Sequence, residues 1–62
     1  MRTPEEVRAS RERRVRELRL LARSNEAAAR AVRDPELADG YRAAAEYQRE
    51  HADNLQARIE EA

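Results

Sequence analysis

The chain has 62 residues, and 13 of its apolar residues are alanine; Leu, Ile and Val together number nine, with no Phe, Trp or Cys. So little bulky apolar surface cannot enclose a core alone, and chains of this size rely on disulfides, a metal or a partner. The missing cysteine excludes disulfides and thiolate sites, a single histidine argues against a self-contained metal cage, and the zero net charge argues against a disordered chain; association with further copies is the remaining route.

The first helix is expected from Pro4 to about Arg33. Thr3 can cap it, Pro4 suits the first helical position, and Glu6 stands three residues after Thr3 as in a capping box. Glu12–Arg16 and Glu26–Arg30 are favourably oriented pairs one turn apart. At 100° per residue one stripe carries Val7, Val15, Leu18, Leu21, Ala22, Ala28, Ala29 and Val32, interrupted by Arg11, Arg14 and Asn25. The arginines are read as snorkelling near an open end. A lone Asn on a seam fixes register or oligomer state at some cost in stability. A second row, Leu20, Ser24, Ala27 and Ala31, runs on the opposite side and suits a second contact.

Arg33-Asp34-Pro35 is the hinge. Proline disfavours a helical conformation for Asp34, whose extended backbone lets its carboxylate cap the helix that Pro35 begins. The second helix is expected from Pro35 to Glu61. Its inward stripe is expected to be Leu37, Tyr41, Ala44, Gln48, His51, Ala52, Leu55 and Ile59. Folding about the hinge then places Gln48 and His51 near Leu21 and Leu18, Ala44 near Asn25, and Leu55 and Ile59 near Arg14 and Arg11. Alanines recur seven apart at 38, 45 and 52, a seam for a tightly packed neighbour. Gly40 lowers helix propensity; the helix is expected to run through it, with Gly40 permitting close approach. Tyr47, among Gly40, Ala43 and Asn54, reads as an interface anchor. His51 reads as a hydrogen-bonded seam residue, and metal binding would need more convergent ligands.

The charge is split. Through Arg33 there are ten Arg against five Glu, and from Asp34 onward three Arg against eight acids. A basic helix followed by an acidic one favours antiparallel pairing, within or between chains.

Chemistry-bearing patterns are absent: there is no glycine-rich phosphate loop, no His-Glu-x-x-His, and Gln48 stands where a Glu-x-x-His motif needs Glu. No enzyme, cofactor, metal site or small-molecule substrate is expected. No apolar run approaches the ~20 residues of a membrane span, so a cytoplasmic location is expected, or recombinant expression alone if the chain is designed. Nucleic acid is the alternative partner: Arg8, Arg13, Arg16, Arg19, Arg23 and Arg30 occupy the outer face of the first helix and could meet phosphates, although Glu12 and Glu26 interrupt them and no aromatic residue there stacks bases.

Thr3-Pro4-Glu5-Glu6, Asp34-Pro35-Glu36-Leu37 and Ala57-Arg58-Ile59-Glu60-Glu61-Ala62, with Ala/Arg/Glu-rich filling, resemble de novo designed helical bundles. That resemblance implies an idealised hairpin forming a symmetric homo-oligomer with no catalytic activity. His51-Ala52-Asp53-Asn54-Leu55 followed by Ala57-Arg58 is similar to part of the second helix of the Rop family. Rop proteins are hairpins that dimerise into four-helix bundles and bind paired RNA loops, but the phenylalanine of their RNA-binding face has no counterpart in the first helix here.

The reading is an all-α chain: one antiparallel two-helix hairpin over residues 1–62 (helix 4–33, hinge 33–35, helix 35–61) that assembles into a helical bundle, four-helix if dimeric. Its partner is itself. On the first helix Leu18, Leu20, Leu21, Asn25, Ala27 and Ala31 are expected to carry self-association. On the second helix the set is Tyr41, Ala45, Tyr47 and Gln48, with His51, Ala52, Leu55 and Ile59.

Overall fold

The computed structural model describes residues 1–61. It comprises two helices, α1 (Pro4–Ala31) and α2 (Pro35–Glu61), packed side by side as a rod of 47 × 15 × 15 Å. Both starts follow from the residues that precede them. Thr3 Oγ1 accepts from the Glu6 N–H at 3.2 Å, and Asp34 Oδ1 accepts from the Glu36 N–H at 2.9 Å. Each satisfies an amide that the helix leaves without a partner, and each is followed by proline at the first helical position. Neither helix is long and apolar enough to cross a membrane.

The first helix stops at Ala31, two residues earlier than expected. Val32 is extended (φ −82°, ψ 145°), and its N–H donates to the Ala28 carbonyl at 3.1 Å. The connection is therefore residues 32–34 rather than 33–35, with Pro35 already inside α2. Three non-helical residues, the first of them extended, can carry the chain up to roughly 10 Å onward before it turns back. Cross-helix register shifts accordingly by about one turn: Gln48 meets Asn25, not Leu21 and Leu18 as expected. By the same register the first turn of α2 overhangs the end of α1. Leu37, expected inside, lies on this overhang and is 56% exposed.

The buried row of α1 is Val15, Leu18, Ala22 and Ala29, with Asn25 half-buried between them. That of α2 is Ala38, Ala45, Ala52 and Ile59, every seventh residue. Both rows keep the seven-residue spacing of coiled-coil seams. The inward line of α2 thus follows the alanines, not the stripe through Leu37, Tyr41 and His51, all three of which are exposed. The reason is steric. Alanine lets two helix backbones approach until Ala45 and Ala52 retain no accessible surface, and that approach pushes larger neighbours to the edge.

The seam is tapered. Val15, Leu18, Ala52 and Ile59 form one cluster with Leu55 packed against it, at the end remote from the connection. Nearer the connection the buried positions are Ala22, Ala29, Ala38 and Ala45.

Helix α2 passes unbroken through Gly40, and a Cβ built there meets nothing within 4 Å. The close approach expected at Gly40 is not made within the chain. Gly40→Ala is therefore expected to stabilise the isolated hairpin by about 0.5–1 kcal/mol, measured as a higher urea midpoint. Destabilisation would show that an unseen neighbour occupies that space.

Candidate self-association surface

Two helices packed side by side leave two edges where their flanks meet and two outer faces. The residues flanking the buried rows make the two edges of this hairpin unlike.

One edge is sealed by charge. Arg19 donates to Asp53 at 3.2 Å, and Arg49 pairs with Glu26. The expected pairs within α1 do not form: Glu26 reaches across to α2 instead of to Arg30, and Glu12 pairs with Arg8 at 3.1 Å instead of with Arg16. Exposed pairs such as these contribute at most about 1 kcal/mol each. Their consequence is chemical: this edge presents ionised groups already satisfied by one another.

The other edge is mostly apolar, with Arg14, bonded to Glu17 at 3.3 Å, on the α1 side at its far end. On α1 it carries Leu21, Ala28 and Val32, on the opposite flank of the buried row from Arg19 and Glu26. On α2 it carries Leu37, Ala44 and Leu55, on the opposite flank from Arg49 and Asp53. Tyr41 sits between this edge and the seam. Leu21 is 46% exposed; Val32, Ala44 and Leu55 are half-buried. One polar contact crosses here: Asn25 Nδ2 donates to Gln48 Oε1 at 2.9 Å, partly buried. A pair of amides satisfied by each other fixes the register of the two helices without leaving a buried polar atom unpaired.

The outer faces differ in charge. On α1 the row Arg13, Arg16, Leu20, Arg23 and Ala27 points away from α2, and Arg30 is turned toward the charged edge, where it lines a hollow with Glu26 and Ala29 and with Arg42 of α2. Leu20 is 62% exposed, and a shallow groove of about 230 Å³ runs among Arg16, Arg19, Leu20 and Arg23. Arg13, Arg16, Arg23 and Arg30 make no ion pair among the described residues. The outer row of α2 is Glu36, Gly40, Ala43, Tyr47, Glu50 and Asn54, with Tyr47 68% exposed. His51 is not on the seam; its ring stacks on Tyr47 with centroids 6.2 Å apart and 10° between planes. Among the described residues no three His, Cys, Asp or Glu converge as a metal site.

The residues expected to carry association are therefore spread over four surfaces. Leu18, Ala45, Ala52 and Ile59 are consumed by the hairpin's own seam and have no surface left to offer. Asn25, Gln48 and Leu55 are half-buried beside the apolar edge, where Leu21 and Tyr41 are exposed. Leu20, Ala27 and Ala31 lie on the outer face of α1, and Tyr47 and His51 on that of α2. Sequence reasoning missed Leu37 and Ala44 as edge residues because it turned α2 with Leu37 inward. The alanine repeat at 38, 45 and 52, continued to Ile59, was the signal that places them correctly.

Comparison with family models, with curated proteins and with solved structures finds no match to this chain.

Proposed function

We propose that this chain is a self-assembling structural module, in which two hairpins pack apolar edge against apolar edge as a four-helix bundle with no catalytic step. The observation that carries this reading is the inversion of bulk. Leu21, Leu37 and Tyr41 stand exposed along one edge while five of the eight buried apolar positions are alanine. Covering that edge with a second copy removes large side chains from water at about 25 cal/mol per Å². Size scaling supports the same conclusion. A compact monomer of 7.2 kDa exposes about 4,100 Å², whereas the hairpin exposes 5041 Å². The excess of about 900 Å² is close to the ~800 Å² each partner contributes to a standard interface. The sealed edge favours two copies rather than an open stack, since its paired charges resist desolvation. The paired caps at Thr3 and Asp34 and the seven-residue seams fit an idealised, designed assembly unit.

Light scattering coupled to size exclusion across a dilution series, with helicity followed alongside, tests the reading. The expected result is a mass of twice 7.2 kDa, with helix lost as the assembly dissociates. A helical monomer of 7.2 kDa at every concentration would sink it.

A second reading is binding of structured RNA. Arg13, Arg16 and Arg23, which make no ion pair among the described residues on the outer face of α1, favour it. It would show as affinity that falls steeply with salt and depends on Arg16 and Arg23.

A further inference from the structure

The outer faces of the two helices share a spacing that the hairpin itself does not use. On α1, Arg16, Leu20, Ala27 and Arg30 follow one another at intervals of four, seven and three residues. On α2, Glu36, Gly40, Tyr47 and Glu50 follow at the same intervals. At 1.5 Å per residue each row extends about 21 Å. Laid parallel in register, these four positions match in kind, and Arg23 falls opposite Ala43 between them. Arg16 meets Glu36 at one end and Arg30 meets Glu50 at the other. The exposed Leu20 meets the bare backbone of Gly40, and the exposed Tyr47 meets Ala27.

We propose that the outer face of α1 in one hairpin docks, parallel and in this register, on the outer face of α2 in a second copy of the chain. Three independent observations support that occupant. The charges are complementary and unspent: none of Arg16, Arg30, Glu36 and Glu50 makes an ion pair among the described residues. The two most exposed large apolar side chains of the helices, Leu20 and Tyr47, lie one on each row, each opposite a small residue. Gly40 lowers the stability of its helix, and nothing within 4 Å of its would-be Cβ uses the space. The contact joins unlike surfaces, so every hairpin that docks through α1 still offers its α2. Such head-to-tail contacts close into rings or continue as filaments. Both apolar edges remain free, so this association is additional to the four-helix bundle proposed above and does not depend on it.

The two contacts respond oppositely to salt. An apolar interface persists at high ionic strength, whereas exposed charge pairs are screened as the Debye length falls. Sedimentation velocity on the full chain at about 20 mM and about 500 mM sodium chloride separates them. Mass at high salt reports the apolar edge alone. At low salt the mean mass is expected to rise roughly twofold or more, increasing with concentration. Arg16→Glu and Glu36→Arg are each expected to abolish that rise, and the double variant R16E/E36R to restore it, with helicity by circular dichroism unchanged throughout. A mass independent of salt would overturn the proposal, as would native-like growth of either single variant or failure of the double variant to recover. Growth that requires an added RNA duplex would also overturn it and transfer the arginine row to the RNA reading.

Discussion

Leu18→Ala is expected to abolish most of the helical structure at 25 °C. Leu18 is 3% exposed and stands in the one cluster that holds bulky side chains, with Val15, Ala52 and Ile59. Removing a buried leucine costs about 2–5 kcal/mol, the larger values arising where the surroundings cannot collapse into the space. Here Ala52 is too short to fill it and Ile59 and Val15 are stiff at χ1. A single core in a chain this small rarely supplies more than about 3–5 kcal/mol in total, so one substitution removes nearly all of it. Leu20→Ala is the control. It makes the same chemical change two residues away, at an exposed site, and should alter hairpin stability by no more than about 0.5 kcal/mol. Thermal and urea melts followed at the helix band decide the matter. Coincident melts for the two variants would mean that Leu18 does not hold the helices together.

Leu21→Asp is expected to dissociate the proposed four-helix assembly although it replaces no residue of the hairpin's own seam. In a two-fold interface the same residue appears on both sides, so one substitution acts twice. Burying a leucine contributes roughly 2 kcal/mol; twice that, before any cost of desolvating the new carboxylates, weakens association by about a thousandfold. The dilution at which mass falls from two copies to one should shift by at least that factor. Arg49→Ala provides the contrast. It opens the Glu26 pair on the charged edge, alters stability by at most about 1 kcal/mol, and should leave the dimer mass unchanged. If both variants dissociate alike, the apolar edge is not where the copies meet.

The sequence marks the helix starts because Thr3-Pro4 and Asp34-Pro35 act locally: a carboxylate or hydroxyl and a proline fix the backbone within a few residues, whatever the tertiary structure. The antiparallel arrangement was legible for a similar reason, since a short break between two helices allows little else. The facing of α2 was harder to read. Alanine is both the best helix former and the smallest side chain that packs a seam, so a row of alanines looks alike on the surface and in a core. A stripe through Leu37, Tyr41 and His51 has the larger hydrophobic total but cannot lie between backbones brought together at Ala45 and Ala52. The one-turn shift of register was not legible either. It depends on how far Val32, Arg33 and Asp34 run before the chain reverses, which side-chain periodicity does not encode. At the candidate surface the exposed Leu20 and Tyr47 were found because each breaks the polarity of its face. Leu37 was missed because its exposure follows from the overhang.

The tapered seam also bears on how the hairpin closes. A uniform hairpin can close like a zipper, each pair near the turn holding the next in place. Here the positions near the connection are alanines, which contribute little when they first meet, while the leucine, valine and isoleucine contacts join segments about 35–45 residues apart and carry a larger loop-closure entropy. The rate-limiting encounter then lies at the far end: Val15 and Leu18 must find Ala52, Leu55 and Ile59 before the alanines between them are held together. The hairpin is then expected to shut as a clasp, with its slowest-exchanging amides around Leu18 and Ala52 instead of beside the turn.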